Sequence, residues 1–274
     1  MEEKEDFRNQ IVKPSSLRTL KAKGQKITCL TAYDYRTAQI LDKAGIDIVL
    51  VGDSLANVFL GYDSTTQVGM TEMTYHTKAV AKGIKRALLV TDMPFLSYNL
   101  SIEKTISNAA ELIKAGAKAV KIEGGNENII KAIESLHNVG IPVIGHLGYT
   151  PQSEGVLQSR LQGKTENERQ KIFEQSKKVE EAGAIALVLE MLPKDLAKEI
   201  SHSLKIPTIG IGAGPDCDGQ ILVTDDLIGK SELKFKFVKR YAEIGQVIEE
   251  SVTNYVSDVQ KGNFPDNTHS FSLT

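Results

Sequence analysis

The sequence has no tryptophan and only two cysteines, Cys29 and Cys217, among 274 residues. The two cysteines stand far apart and form no C-x-x-C pair, which argues against a disulfide framework and against a zinc site built on thiolates. Such sparse cysteine usage is typical of a reducing compartment. We therefore expect a cytoplasmic protein.

Long apolar runs and a surplus of one charge are also missing. No run approaches the roughly 18 apolar residues of a membrane-spanning helix, and the N-terminus, MEEKEDFRNQ, is charged where a secretory signal is apolar. The 33 basic and 35 acidic residues leave a net charge of −2, so no basic surplus indicates a nucleic-acid partner. With 41% hydrophobic residues, the chain can bury a large core. These features predict a soluble globular protein that binds neither membranes nor nucleic acid.

Short apolar runs recur along the chain, separated by helix-length amphipathic segments. There are eight of them: KITCLTAYD, IDIVLVGDS, ALLVTDMP, AVKIEGG, PVIGHLG, ALVLEML, IPTIGIGAG and GQILVTDD. Strands that alternate with helices form parallel sheets, and eight such units predict a (β/α)8 TIM barrel. The alternative is an open doubly wound sheet. We expect one barrel domain over 1–274, with an N-terminal capping helix within about 1–25 and helices and a polar tail over about 231–274.

A polar residue stands at or just beyond the end of most of these runs. The residues are Asp34, Asp53, Asp92, Glu123, His146, Glu190 and Asp225. In a barrel the strand ends meet at one mouth, where the active sites of this fold lie. Asp53, Asp92 and Glu123 come from consecutive strands, and such carboxylates repel one another, so either some are protonated or a cation sits among them. Hard oxygen ligands favour magnesium as that cation. The alternative is that these acids cap the helices that follow.

Three further side chains at the predicted mouth have more than one interpretation. Lys121 lies two residues before Glu123, so both point to the same face of a strand, and the lysine needs an anionic partner. That partner is a substrate carboxylate or, in a structural ion pair, one of the acids. Glu190, set apart from the other acids, suits a catalytic base or a helix N-terminal charge. His146 is a possible auxiliary, although a lone histidine is more often a structural hydrogen-bonding group.

Two other motifs favour packing roles. The GIGAG segment, Gly210 to Gly214, lacks the spacing of a dinucleotide-binding loop and indicates close backbone packing more than anion binding. Tyr75 and His76 fall in a predicted helix, where core packing is the expected role.

The motifs together resemble those of the ketopantoate hydroxymethyltransferase family. They run in order from Thr31 to Phe271: TAYD, LVGDSLANVFLGYDSTTQVGMTEMTYHTKAV, DMPF, VKIEGG, GHLGYTPQS, LVLE, IPTIGIGAG, DGQILV and HSF. The resemblance implies a magnesium-dependent barrel of the phosphoenolpyruvate/pyruvate type. It also implies transfer of a hydroxymethyl group from 5,10-methylenetetrahydrofolate to 3-methyl-2-oxobutanoate, giving 2-dehydropantoate for pantothenate biosynthesis.

The resemblance also assigns roles to individual residues. It implies that Asp53, Asp92 and Glu123 are the magnesium ligands. Ser54 and Lys121, with the two aspartates, would contact the keto acid, and Glu190 would be the proton acceptor. Family members are homo-oligomers, often decamers, so we expect an oligomer here.

The sequence departs from the family pattern after GHLGYTPQS. The family has an asparagine and a glycine-rich loop there, whereas this chain has EGVLQSRLQGKT, a difference that bears on folate contacts more than on the metal site. Two alternatives remain. A magnesium-dependent C–C lyase or mutase of the same superfamily commonly has a loop cysteine, which neither cysteine here matches. An inactive keto-acid-binding relative would be expected to have lost Glu190 or a metal ligand, and all of them are present.

Overall fold

Eight parallel strands close into a barrel in the order of the chain. The computed structural model describes residues 10–156, 161–231 and 234–272. The strands are β1 Ile27–Thr31, β2 Ile48–Val51, β3 Leu88–Asp92, β4 Ala119–Glu123, β5 Val143–Gly148, β6 Ala186–Glu190, β7 Thr208–Ile211 and β8 Gly219–Leu222. Each predicted apolar run contains one strand. The predicted barrel is therefore confirmed, and the open-sheet alternative is wrong because β1 pairs with β8.

Ten α-helices are present in the described ranges. They are α1 Ser16–Ala22, α2 Tyr35–Ala44, α3 Leu55–Val58, α4 Met70–Ala81, α5 Ile102–Ala115, α6 Glu127–Asn138, α7 Glu166–Glu181, α8 Lys194–Ser203, α9 Thr224–Leu227 and α10 Ile244–Lys261. Short 3-10 helices span Thr65–Gln67, Pro151–Val156 and Asn267–His269. In the part of the chain that the structure describes, no helix has the length and apolar character needed to cross a membrane.

Helix α5 is bounded by residues typical of helix ends, but its buried face is not purely apolar. Ser101 caps the helix by accepting a hydrogen bond from the Lys104 N–H, and Gly116 ends it with a φ of 123°, a value that favours glycine. The buried face, however, includes the polar Thr105 and Asn108. Their side chains donate to backbone carbonyls of the loop after β3, which periodicity cannot reveal.

Inward-facing side chains fill the lower barrel and leave its upper end polar. The apolar inner cluster includes Ile27, Cys29, Ile48, Leu50, Leu88, Val90, Ala119, Ile144, Ala186, Val188, Ile209 and Ile221. Leu17 of α1 joins this cluster and is fully buried, so the helix before β1 packs on the barrel interior. The same side of β4 continues from Ala119 to Lys121 and Glu123, because side chains alternate along a strand.

The chain divides into two compact units, the second beginning at Thr224. All eight strands belong to the first unit. The second unit contains α9, α10 and the 3-10 helix Asn267–His269, and no residue of α10 is buried. Asp225, predicted at or just beyond a strand end, lies three residues after β8, in the first turn of α9, and pairs with Lys230 at 3.0 Å. That the whole of 1–274 forms a single domain stays a prediction.

Candidate active site

Lys121 lies between two acids at the polar end of the barrel. Its Nζ is 2.8 Å from Asp92 Oδ1 and 3.6 Å from Glu123 Oε1, and all three residues are buried. The register between β3 and β4 sets Lys121 beside Asp92. Although burial lowers it, Asp92, Glu123 and Asp53 raise the pKa of Lys121, so the lysine is charged. The predicted common face of Lys121 and Glu123 is confirmed.

His146 extends this arrangement from β4 to β6. Its Nδ1 is 3.1 Å from Glu123 Oε1, and its Nε2 is 3.3 Å from Glu190 Oε2. Although burial and Lys121 lower it, Glu123 and Glu190 raise the pKa of His146 to about 9. The imidazole is therefore a buried cation at neutral pH, between two carboxylates.

Asp53 follows β2 in a turn and meets a different kind of partner. Gln152 Nε2 donates to Asp53 Oδ2 at 2.9 Å, while the Asp53 N–H donates to Asp92 Oδ2 at 3.0 Å. Burial, together with the neighbouring charges of Asp92 and Glu123, raises the pKa of Asp53 well above its usual range. An amide hydrogen bond only partly offsets that repulsion.

The capping alternative separates Asp34 from the site acids. Asp34 caps α2 by accepting from the N–H and the hydroxyl of Thr37. In contrast, Asp92 and Glu123 end their strands, and the cap of α6 is Asn126. Asp53 lies one residue before Ser54, the N-cap position of α3, and its side chain makes no capping bond. Helix capping therefore explains Asp34 alone among these acids.

Glu190 ends β6 and is the most accessible acid of the group. Its side chain is 15% exposed, compared with 2% for Glu123, and α8 begins only at Lys194, so it is not a charge in the first turn of that helix. Gly148, with a φ of +101°, lies so close that a Cβ there would be 2.0 Å from the Glu190 carbonyl oxygen. Met191 follows with a left-handed φ of 48°. The close approach of Gly148 and the left-handed Met191 constrain the main chain from which the Glu190 side chain extends.

Ser54 lies beside Asp53 and contacts a tyrosine. Its Oγ is 2.8 Å from the Tyr33 hydroxyl. His76 is buried and its Nδ1 donates to the Tyr33 carbonyl at 2.6 Å, so its predicted core role is confirmed. The same prediction is wrong for Tyr75, which is 71% exposed, because its position on α4 faces outward while that of His76 faces the barrel.

The donor set fits a divalent cation in charge and chemistry. In residues 10–156, 161–231 and 234–272, no three His, Cys, Asp or Glu side chains already stand in a ligand arrangement. Asp92 Oδ1 is nevertheless buried without a hydrogen bond, because Lys121 Nζ, although 2.8 Å away, does not have hydrogen-bond geometry towards it. When Asp53, Asp92, Glu123 and Glu190 are ionised, they exceed the charges of Lys121 and His146 by two. Buried oxygen donors that carry two uncompensated negative charges suit magnesium.

Two functional candidates escaped the sequence interpretation. Gln152, in the 3-10 helix after β5, contacts both Asp53 and Glu123, and Tyr98 contacts Gln152. The only available signal was that Gln152 falls within GHLGYTPQS. The predicted packing role of GIGAG is supported, since a Cβ on Gly214 would be 2.6 Å from Lys194 Cβ. Within the altered loop after Ser153, residues 157–160 lie outside the described residues.

Solved structures of distantly related sequence share the barrel fold. A crystal structure of phosphonopyruvate hydrolase in complex with oxalate and Mg2+ aligns with a TM-score of 0.62 and 15% identity, covering 96% of this chain and 93% of that chain. 2,3-Dimethylmalate lyase, a PEP mutase/isocitrate lyase superfamily member, aligns with a TM-score of 0.58 and 13% identity over the same shares. These likenesses show the fold, a (β/α)8 barrel, as predicted.

Sequence similarity identifies the family within that class. The family model described as ketopantoate hydroxymethyltransferase matches residues 12–267. A 3-methyl-2-oxobutanoate hydroxymethyltransferase from Thermoanaerobacter pseudethanolicus is 52% identical over 94% of this chain and 95% of the relative. The enzyme of that name from Caldicellulosiruptor bescii is 52% identical over 92% and 96%. The chain belongs to the ketopantoate hydroxymethyltransferase family, as its motifs predict.

Proposed function

We propose that the protein transfers a hydroxymethyl group from 5,10-methylenetetrahydrofolate to 3-methyl-2-oxobutanoate, giving 2-dehydropantoate for pantothenate biosynthesis. Membership of the family supports the activity. The observation that carries the mechanism is a continuous series of contacts from Asp92 through Lys121, Glu123 and His146 to Glu190. It joins an acidic cluster, suited to a cation, to one more accessible carboxylate.

Asp53, Asp92 and Glu123 are the residues that would hold Mg2+. A bound Mg2+ would stabilise the negative charge that develops on the keto oxygen when the C3 proton leaves. Although burial raises it, His146 and Lys121 lower the pKa of Glu123, which keeps this carboxylate ionised. Of the three acids, Glu123 is thus the one held ionised before a cation arrives, whereas burial raises the pKa of Asp53 and of Asp92.

The keto acid is an anion and needs donors that the metal ligands do not supply. Lys121 is a buried ammonium group between β3 and β5, and it would neutralise the substrate carboxylate. Ser54 offers a hydroxyl next to Asp53, oriented by Tyr33. Both groups would fix the substrate so that C3 is presented to the base.

Glu190 is the proton acceptor in this proposal. His146 Nε2 forms an ion pair with Glu190 Oε2 at 3.3 Å without hydrogen-bond geometry, and among the described residues no hydrogen bond reaches Oε1. One oxygen would thus be held while the other stays available to take the C3 proton. Its greater exposure suits a group that must contact bound substrate. His146 is then an orienting group for the base.

The remaining expectations belong to the same proposal. The substrates are small molecules, the cofactor is magnesium, and the protein is a cytoplasmic homo-oligomer, with a decamer as one expected form. The altered loop after Ser153 would change contacts to the folate rather than the enolisation of the keto acid.

Deuterium exchange at C3 of 3-methyl-2-oxobutanoate tests the proposal. We expect NMR in heavy water to detect exchange that requires magnesium and falls at least ~100-fold in Glu190→Gln, the usual contribution of a general base. Glu174→Gln, on the exposed face of α7, is the matched control and should exchange as wild type does. An absence of exchange by the folded wild type, with tetrahydrofolate added, would contradict the mechanism and favour a lyase or a binding protein.

A further inference from the structure

A single glutamine joins the ends of three neighbouring strands. Gln152 Nε2 donates to Asp53 Oδ2 at 2.9 Å and to the Met93 carbonyl at 3.0 Å. The backbone N–H of Gln152 donates to Glu123 Oε2 at 3.1 Å. Gln152 therefore contacts two of the acids and the segment directly after the third. It is 6% exposed, so these donors are not shared with bulk water.

The hydrogen bonds around the amide allow only one orientation. A carbonyl can only accept, so the amide atom that faces Met93 must be the nitrogen. At the other end, the Tyr98 hydroxyl accepts from the Glu123 N–H at 3.4 Å and donates to Gln152 Oε1 at 2.7 Å. Both ends assign the same orientation. Both amide hydrogens of Gln152 are then used, one on Asp53 and one on Met93.

Tyr98 is itself fixed by buried side chains of α5. Thr105 Oγ1 donates to the Tyr98 carbonyl at 3.1 Å, and Asn108 Nδ2 donates to the Ser97 carbonyl at 2.7 Å. These bonds explain why polar residues occupy the buried face of this helix. They hold the loop after β3, and with it the Tyr98 hydroxyl, above the end of β4.

The chemistry of the amide matters as much as its position. Asp53 and Glu123 are buried like charges and repel each other. A lysine in place of Gln152 would hold them together but would cancel one of the excess charges. An amide offers donors without a charge, so it keeps the acids close without neutralising either of them against a cation.

We propose that Gln152, oriented by Tyr98, is a positioning residue that holds Asp53 and Glu123 in place for a divalent cation. The inference rests on the proposed function, because it concerns the acids assigned there to magnesium. Neither Gln152 nor Tyr98 touches the reacting atoms in this proposal. They act through the two carboxylates.

Mn2+ binding to the full-length protein, measured by the electron paramagnetic resonance signal of free Mn2+, tests the inference without relying on turnover. Tyr98→Phe keeps the ring and removes only the hydroxyl that orients the amide. We expect its Mn2+ Kd to rise about 10-fold, the lower end of the effect of outer-shell changes at metal sites. Gln152→Glu puts a carboxylate opposite Asp53 and should raise the Kd further, up to about 100-fold. Saturating Mg2+ should restore C3 exchange in Tyr98→Phe.

The matched control is Tyr35→Phe. Tyr35 forms a comparable pair with Gln39, whose Nε2 donates to the tyrosine hydroxyl at 2.7 Å, but this pair is exposed on α2. Its removal should leave the Mn2+ Kd unchanged. A folded Tyr98→Phe and a folded Gln152→Glu that both bind Mn2+ as wild type does would overturn the inference and leave the proposed function intact. Failure of wild type to bind Mn2+ would overturn both.

Discussion

His146 Nε2 lies 3.3 Å from Glu190 Oε2, while the opposite ring nitrogen lies 3.1 Å from Glu123. The imidazole therefore connects the acid assigned to proton transfer with an acid assigned to the cation. Because the ring is buried, its charge state is controlled by these two carboxylates rather than by solvent. A change in either carboxylate will be transmitted to the other through this ring.

The ionisation of His146 gives a prediction about pH. We expect its imidazole in the metal-free protein to titrate near a pKa of about 9 by NMR. Since the pKa is raised on folding, the stabilisation is fully present below the unfolded value of about 6.5 and is lost as the pH rises towards 9. The difference in Tm between wild type and His146→Asn should therefore shrink between these two pH values. A pKa near the unfolded value would contradict the buried ion pairs.

Lys121 gives a prediction that separates binding from stability. Lys121→Met removes the partner of buried Asp92, so we expect a stability loss of about 3 to 5 kcal/mol in urea unfolding and a raised KM for the keto acid. The control is Lys21→Met, which breaks a 2.9 Å ion pair with Asp218. This pair also lies in the first compact unit but outside the candidate active site. The control should lose stability with an unchanged KM. An unchanged KM in Lys121→Met would exclude substrate binding by this lysine.

Gly148 tests whether the backbone near Glu190 matters. Gly148→Ala would bring a Cβ to 2.0 Å from the Glu190 carbonyl oxygen, so the end of β6 must move and C3 exchange should fall. Gly140→Ala is the control, since Gly140 has a similar φ of +82° and no atom within 4 Å of the added carbon. Gly140→Ala should lower the free energy of unfolding by only about 1 kcal/mol, from the strain of a left-handed alanine, and should retain C3 exchange. Equal exchange in both variants would show that Glu190 tolerates the shift.

The two cysteines should be unreactive in the folded protein. Burial and the charge of Asp47 raise the pKa of the Cys29 thiol, and burial raises that of Cys217. Thiolates are the reactive form, so we expect a thiol reagent such as 5,5'-dithiobis(2-nitrobenzoate) to label either residue only after unfolding in urea. Rapid labelling at pH 8 in native conditions would contradict this.

The sequence allowed the barrel and most of the charged site to be predicted for physical reasons. Apolar runs of strand length are the direct mark of parallel strands buried on both faces, and strand alternation places Lys121 with Glu123. Where each strand ends was less predictable: β8 ends at Leu222, three residues before Asp225, and a helix begins at Thr224. The residue at which a strand ends depends on backbone hydrogen bonds, which the pattern of apolar residues does not reveal.

The partners of the acids were harder to predict than the acids themselves. Gln152 is an uncharged residue in a turn, and its role depends on meeting Asp53, 99 residues away, and Tyr98, 54 residues away. Nothing local to Gln152 signals these contacts. The buried polar face of α5 has the same origin, because Thr105 and Asn108 were placed by a loop conformation rather than by periodicity.

The circular order of the strands has a consequence for how the protein folds. The acidic cluster draws on β2, β3, β4 and β6, so no continuous fragment shorter than about half the chain contains it, and its contacts form late because they join distant segments. Cation affinity should therefore be gained during refolding only after these strands have aligned. A refolding chain with native-like helices but separated strands would still be unable to retain Mn2+.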